Sequence, residues 1–116
     1  MADLADLQEE LTPEQASELA ARGEVRLVDV REAREWDEGH IEGARHVEMD
    51  QLVAEAESLS GDPPVVFYCR TGGRSSVASQ AFRASGVETF NLAGGLVAWT
   101  ERGLPLEPED GSVAIH

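Results

Sequence analysis

The sequence predicts an α/β domain with a parallel sheet, and three observations support this class. Short apolar runs alternate along the chain with segments of helical periodicity. Residues 65–68 are apolar at every position, as in a strand that is buried on both faces of a parallel sheet. The length of 116 residues corresponds to one domain, which we place at residues 1–106, followed by a flexible tail at residues 107–116.

The first half of the chain contains recognisable helix and strand boundaries. Thr12 and Pro13 are typical of the N-cap and first residue of a helix, and Gly23 is typical of the position just past a helix end. The elements predicted here are, in order, a helix at 13–22, a strand at 25–30, a short helix at 33–38, an extended segment at 45–47 and a helix at 50–58.

The second half continues the alternation around the apolar strand at residues 65–68. That strand leads directly into residues 70–74, a glycine-rich segment that suits neither strand nor helix. The two serines at 75–76 predict the start of the next helix, because serine hydroxyls cap helix N-termini. A last strand at residues 89–92 and a helix that opens at the glycine pair 94–95 complete the predicted set.

The charge composition excludes several partners. Nine basic residues against 23 acidic residues give a formal net charge of −14, so nucleic acid and anionic membrane surfaces are poor partners. All nine basic residues are arginine, which excludes Schiff-base chemistry and a lysine general base. No apolar run approaches the ~20 residues of a membrane span, and the acidic start of the chain is unlike a signal peptide. We therefore expect a cytoplasmic protein.

Cys69 is the only cysteine in the sequence, so it cannot form an internal disulfide or a Cys-x-x-Cys metal or redox site. It lies within residues 63–87, a stretch without an acidic residue that also contains Arg70, Arg74 and Arg83. A buried strand and an apolar helix face would also explain such a stretch, but a core does not need two arginines beside its cysteine. Neither a metal nor another cofactor is implied.

The predicted junction of strand, loop and helix makes Cys69 a candidate functional residue. Ligands of open α/β sheets bind beyond the carboxyl ends of the strands. Gly72 and Gly73 allow backbone N–H groups to turn toward the sulfur and to favour its thiolate form. The guanidinium groups of Arg70 and Arg74 are suited to bind an oxyanion bidentately. The alternative interpretation is that Cys69 is simply a small buried residue at the end of a core strand.

Three motifs follow one another along the chain. They are Asp-Val-Arg-Glu at 29–32 with Gly-His-Ile-Glu-Gly-Ala at 39–44, Tyr-Cys-Arg-Thr-Gly-Gly-Arg-Ser at 68–75, and Leu-Ala-Gly-Gly-Leu at 92–96 with Gly-Leu-Pro at 103–105. In this order the chain resembles the single-domain rhodanese-like sulfurtransferases over about residues 12–105. The resemblance implies a five-stranded parallel sheet with helices on both faces and a catalytic Cys69 that carries sulfur as a persulfide. The implied substrate-binding residues are Arg70, Thr71, Gly72, Gly73, Arg74 and Ser75.

The resemblance implies a sulfurtransferase that moves a sulfane sulfur from a donor such as thiosulfate to a nucleophilic acceptor such as cyanide or a thiol. Four residues separate Cys69 from Arg74, whereas the active-site loop of the related phosphatases has the pattern Cys-x5-Arg, with five. The shorter loop disfavours phosphatase activity. Thr71 stands where some thiosulfate-preferring members carry lysine, which argues against thiosulfate as the physiological donor. A second hypothesis is a sulfur-carrier or protein-docking module that receives persulfide sulfur from a protein donor and turns over small molecules poorly.

Structural roles are predicted for other residues of the motifs. Asp29 and Arg31 are expected to pair and to fix the neighbouring loop. His40 and His46 are expected to stabilise turns, because their spacing is not that of a metal site. The glycine pair at 94–95 lacks the third glycine and the downstream acid of a dinucleotide-binding fingerprint. The residues expected to be core aromatics are Trp36 and Trp99.

Overall fold

The computed structural model describes residues 9–108 and 111–113 and contains one five-stranded sheet in which every strand pair is parallel. Its elements are, in chain order, β1 (Glu10–Leu11), α1 (Pro13–Ala21), β2 (Arg26–Asp29), α2 (Ala33–Glu38), β3 (Arg45–His46), a 3₁₀ turn (Met49–Gln51), α3 (Ala56–Leu59), β4 (Val65–Tyr68), α4 (Gly73–Ala84), β5 (Thr89–Leu92) and α5 (Gly95–Glu101). The strands lie in the order β1-β5-β4-β2-β3, so β4 occupies the centre of the sheet.

Alternate residues of β4 contact the two halves of the core, because successive side chains of a strand point to opposite faces. Val65, Phe67 and, one residue past the strand, Cys69 pack with residues of α3 and α4. Val66 and Tyr68 pack with residues of α1 and α5 on the other face. A parallel five-stranded sheet with helices on both faces confirms the predicted fold class.

The edge strand β1 was not predicted from the sequence. Glu10 lies opposite Asn91 and Leu11 opposite Leu92 in the pairing with β5. Two residues cannot display the period-two pattern by which a strand is predicted. The strand depends instead on its partner β5 and on the complete burial of Leu11.

The predicted helix at residues 50–58 is wrong. The chain forms the 3₁₀ turn at Met49–Gln51 and then, after further turns, the separate helix α3. Leu52 is the only buried residue among residues 50–58, the next being Leu59 at the end of α3, and Val53 is 91% exposed. The stretch therefore does not present the continuous apolar face that a packed helix needs.

Helix α4 begins at Gly73 rather than near Ser75, and Gly72 is its N-cap. Gly72 has a φ of 105°, a left-handed conformation that residues with a side chain rarely adopt. The hydroxyl of Ser75 does not cap the helix, because it contacts Cys69 and Asn91 instead. The glycine thus allows the chain to turn from β4 into α4 while Ser75 faces inward.

The predicted pair of Asp29 and Arg31 is confirmed, and both side chains are fully buried. The Arg31 guanidinium donates to the two carboxylate oxygens of Asp29 over distances of 2.7–3.0 Å. It also donates to the carbonyl of Gly39 at 2.7 Å. The pair therefore fixes the loop that follows α2, as expected.

The two tryptophans have different roles. Trp99 is a core aromatic as predicted, with 3% exposure. Trp36 is not, because it is half-buried and its ring stacks on those of His40 and His46 at centroid distances of 3.6 and 4.9 Å. His40 Nδ1 contacts the carbonyl of Trp36, and His46 Nε2 that of Arg31, which confirms the predicted turn roles.

The described part of the segment assigned to the tail contacts the domain. Glu107 forms an antiparallel bridge with His40, and the N–H of Ser112 donates to the carbonyl of Glu38 at 2.8 Å. The rest of that segment, residues 109, 110 and 114–116, lies outside the described residues. The domain boundary at residue 106 and the flexibility of the tail stay predictions.

Breaking the buried pair of Asp29 and Arg31 should destabilise the fold. In Arg31→Met the carboxylate of Asp29 would remain as a buried charge without its partner, so we expect the free energy of unfolding to fall by about 3–5 kcal/mol. Arg34→Met is the matched control, because Arg34 pairs with Glu32 at an exposed site and should lose under ~1 kcal/mol. Urea denaturation measures both values. Equal losses would contradict a stabilising role of the buried pair.

Candidate active site

Cys69 lies directly after the end of β4, and its side chain is 1% exposed. Two N–H groups from the start of α5 hold the loop at this point. Leu96 donates to the carbonyl of Cys69 at 2.8 Å, and Val97 donates to that of Arg70 at 3.0 Å. Gly95 permits this approach, because a Cβ at that position would lie 2.6 Å from both carbonyl oxygens. The predicted glycine pair therefore serves to pack α5 against the loop.

The sulfur of Cys69 receives hydrogen bonds from the loop that leads into α4. The N–H of Gly72 donates to Sγ at 3.1 Å, and the Oγ of Ser75 lies 3.4 Å from Sγ. Burial is the largest single influence on the pKa of Cys69 and raises it, but the Ser75 hydroxyl and the loop N–H groups together outweigh burial. The pKa of Cys69 is therefore lowered from its ordinary value. The contributing N–H groups belong to Ser75, Gly72 and Thr71.

A buried asparagine of β5 contacts two residues of this loop. The Oδ1 of Asn91 lies 2.5 Å from the Oγ of Ser75, and its Nδ2 donates to the carbonyl of Gly72 at 3.2 Å. Asn91 was not predicted as a site residue from the sequence. The sequence carried only part of the signal, a polar residue within the predicted strand at residues 89–92. The structure adds that all four residues of this strand are buried, and buried polar groups need partners.

Arg74 is held by an acidic partner that the sequence analysis did not predict. Its Nη1 and Nη2 donate to the two carboxylate oxygens of Glu35 at 2.9 and 3.0 Å. The side chain of Glu35 is 0% exposed and that of Arg74 is 33% exposed. The hydrogen bond with Glu35 raises the pKa of Arg74, so the guanidinium stays charged. The pair joins α2 to the start of α4.

A cavity of about 520 Å³ opens beside Arg74, within the size range of small-molecule sites. Its lining includes Val30, which follows the β2 residue paired with the last residue of β4. Arg74 is the one residue of the 69–75 loop in this lining, and Cys69 does not belong to it. Among residues 9–108 and 111–113, no cluster of three histidine, cysteine or acidic side chains could hold a metal ion. The charged residues of the lining are Glu32, Arg34, Glu48, Asp50 and Arg74.

The other predicted substrate-binding residues differ in their exposure and in whether they contact the sulfur. Gly72 and Ser75 contact the sulfur directly. Thr71 is exposed, and Gly73 is the exposed first residue of α4. Arg70 is half-buried, with its carbonyl bound by α5. Whether these residues bind a substrate stays a prediction.

The fold and the site define the class of protein to which this chain belongs. It is a parallel α/β domain with a hydrogen-bonded cysteine between its central strand and the next helix. A family model described as "Rhodanese-like domain" matches residues 12–102. The chain therefore belongs to the rhodanese-like domain family. In the part of the chain that the structure describes, no helix is long and apolar enough to cross a membrane.

Curated relatives extend this assignment. A protein named sulfurtransferase from Allochromatium vinosum is 35% identical over 94 residues, which cover 80% of this chain and 88% of that protein. The uncharacterized protein YqhL of Bacillus subtilis is 42% identical over 63% of this chain, but the chain spans only 59% of its length. The chain also matches 21% of MoeZ from Mycobacterium tuberculosis, a probable adenylyltransferase/sulfurtransferase, at 39% identity over 68% of this chain.

Solved structures share the fold. A rhodanese-related protein from Thermoplasma volcanium superimposes with a TM-score of 0.78 at 23% identity, covering 85% of this chain and 97% of that one. A Rhodopseudomonas palustris protein of unknown function, described as a possible tyrosine phosphatase, has a TM-score of 0.70 at 28% identity. The match covers 85% of this chain and 84% of that protein.

Removing the Ser75 hydroxyl should raise the pKa of Cys69. Only the thiolate is alkylated, so the lowered pKa places the wild-type midpoint of the iodoacetamide rate against pH below about 8.5, the value of a free thiol. Ser75→Ala should move that midpoint upward by about 0.5–1 pH unit, the equivalent of one hydrogen bond. Ser79→Ala, which removes another buried α4 hydroxyl, is the matched control and should leave it unchanged. A wild-type midpoint at or above 8.5 would contradict the site geometry.

The pair of Glu35 and Arg74 should stabilise the junction of α2 and α4. Arg74→Met removes both guanidinium hydrogen bonds from the buried carboxylate of Glu35, which keeps the N–H of Glu32. Because Arg74 is 33% exposed, we expect a loss near the lower end of the range for such pairs, about 3 kcal/mol. Arg102→Met removes an exposed pair with Glu14 and should lose under ~1 kcal/mol. Chemical denaturation compares the two variants. A loss at Arg74 no larger than at Arg102 would show that Glu35 does not need this arginine.

Proposed function

We propose that this protein transfers a sulfane sulfur from a donor such as thiosulfate to a nucleophilic acceptor such as cyanide or a thiol, through a persulfide on Cys69. Membership of the rhodanese-like family and relatives named sulfurtransferase support sulfur transfer in general. The observation that carries the finer proposal is the group of N–H and O–H donors around the Cys69 sulfur, which stabilises the thiolate form and lowers the pKa of Cys69.

The proposed reaction has two displacements. The Cys69 thiolate attacks the sulfane sulfur of thiosulfate, a new S–S bond forms, and the S–S bond of thiosulfate breaks with its electron pair leaving on sulfite. The enzyme then carries a persulfide anion. In the second step cyanide attacks the outer sulfur, the persulfide S–S bond breaks, and its electron pair returns to Cys69 as thiocyanate leaves. No oxidant, reductant or cofactor is consumed.

The proposed roles of the loop residues follow from where negative charge develops during the two displacements. The N–H groups that face the sulfur would stabilise negative charge on it in both steps. Arg70 and Arg74 are proposed to bind the donor oxyanion and the departing sulfite. Arg74 would act while paired with Glu35, which holds its guanidinium beside the cavity. Thr71 supplies no side-chain charge, so we propose thiosulfate as a usable donor rather than as the physiological one.

Phosphatase activity is the less favoured alternative. The structural neighbour from Rhodopseudomonas palustris is described as a possible tyrosine phosphatase, so the comparison raises the question for this chain. The loop from Cys69 to Arg74 has four intervening residues, one fewer than the phosphatase pattern, and therefore forms a smaller cradle. We propose that it suits a single sulfur atom better than a phosphate group.

The second candidate is a sulfur carrier that receives persulfide sulfur from a protein donor in the cytoplasm. The specific observation in its favour is the match to MoeZ, whose name combines adenylyl transfer with sulfur transfer in one protein. In both candidates Cys69 carries the sulfur. They differ in whether small-molecule acceptors discharge the persulfide at a useful rate.

Intact-protein mass spectrometry after incubation with thiosulfate tests the shared step. We expect wild-type protein to gain the mass of one sulfur atom and Cys69→Ser to gain none, because a serine hydroxyl is not ionised in this environment. Subsequent addition of cyanide should remove the added mass and release thiocyanate if the protein is the proposed enzyme. A persulfide that persists in cyanide would favour the carrier. An equal mass gain in Cys69→Ser would overturn both.

A further inference from the structure

The hydroxyl of Ser75 has one proton and two acceptors within reach. The Oγ of Ser75 lies 3.4 Å from the sulfur of Cys69 and 2.5 Å from the Oδ1 of Asn91. A serine hydroxyl can donate only one hydrogen bond at a time. The two acceptors therefore compete for the same proton.

The orientation of the Asn91 amide is fixed by its other contacts. Its Nδ2 donates to the carbonyl of Gly72 and to the Oε2 of Glu10, both at 3.2 Å. These partners are acceptors only, so they require the NH₂ group on their side. The Oδ1 must then face Ser75 as an acceptor.

We propose that Asn91 is a positioning residue that competes with the Cys69 sulfur for the Ser75 proton and so limits how strongly the loop stabilises the thiolate. Asn91 is buried, and its side chain binds Ser75 and Gly72, which both contact the sulfur. The consequence of this inference for catalysis rests on the proposed function. When an acceptor takes the outer sulfur, the electron pair returns to the sulfur of Cys69, and the Ser75 proton turns from Asn91 to it. Asn91 thereby favours the loaded persulfide over the released thiolate.

Charged groups around the site do not change in the test variants. The acidic group facing Asn91 is Glu10 on β1, which is exposed and so remains solvated when its contact is lost. Arg74 on α4 is paired with Glu35 on α2, and Asp29 at the end of β2 is paired with Arg31. A neutral substitution of Asn91 therefore leaves the charges around the sulfur as they are, and the Ser75→Ala background separates the loss of the Ser75 contact from the loss of the Gly72 contact.

The test is the midpoint of Cys69 alkylation against pH in Asn91→Leu, Ser75→Ala and the double variant. Asn91→Leu is nearly isosteric and lacks an acceptor, so the Ser75 proton is left to the sulfur alone. We expect the midpoint to fall by about 0.5–1 pH unit, the equivalent of one hydrogen bond. In the Ser75→Ala background the same substitution should produce no further fall, because the shared proton is absent.

A purely structural role gives the opposite result. Losing the contact with Gly72 would loosen the loop N–H groups, which would raise the midpoint in both backgrounds. A rise, or an equal fall in both backgrounds, would overturn the proposal.

A second variant and a control complete the test. If circular dichroism shows that Asn91→Leu does not fold, Asn91→Ala takes its place, because it removes the same acceptor. Thr89→Val, which removes a buried hydroxyl from the same strand away from the sulfur, should leave the midpoint unchanged. Alkylation does not need sulfur transfer, so failure of the proposed function would be seen separately.

Discussion

The hydrogen bonds that converge on the Cys69 sulfur are the interaction on which the rest of the site depends. The side chain is 1% exposed and packs with apolar residues of the core, an environment that opposes a charged sulfur. The loop N–H groups and the Ser75 hydroxyl reverse this preference and lower the pKa of the thiol. The protein thus keeps this sulfur out of bulk water while the donors of its own loop stabilise the thiolate form.

Several features of the fold serve to hold those donors in place. The left-handed backbone of Gly72 turns its own N–H toward the sulfur, and Asn91 binds the carbonyl of the same residue. Gly95 lets α5 approach and bind the loop carbonyls. In a chain of net charge −14, the Glu35–Arg74 pair keeps one cation beside the site. Screening over about 8 Å at physiological salt makes such local charges more important than the distant acids.

Sequence patterns predicted the elements whose side chains are uniformly buried or whose ends carry typical residues. The four apolar residues of β4 gave its bounds correctly, and Thr12 with Pro13 marked the start of α1. The strand β1 and the contacts of Asn91 could not be predicted in this way, because they depend on residues far apart in sequence. The prediction of a helix at residues 50–58 was wrong, because the sequence alone did not reveal which apolar residues face the core.

Ultraviolet absorbance of the thiolate, titrated against pH, tests whether the loop donors lower the pKa of Cys69 despite its burial, because it reports the ionised sulfur without any substrate or reagent. With Cys69→Ser as the blank, we expect folded protein to retain the thiolate signal below the pKa of about 8.5 that a free thiol shows, while denatured protein loses it near that value. A folded-state transition at or above the denatured-state transition would contradict the claim that the donors outweigh burial.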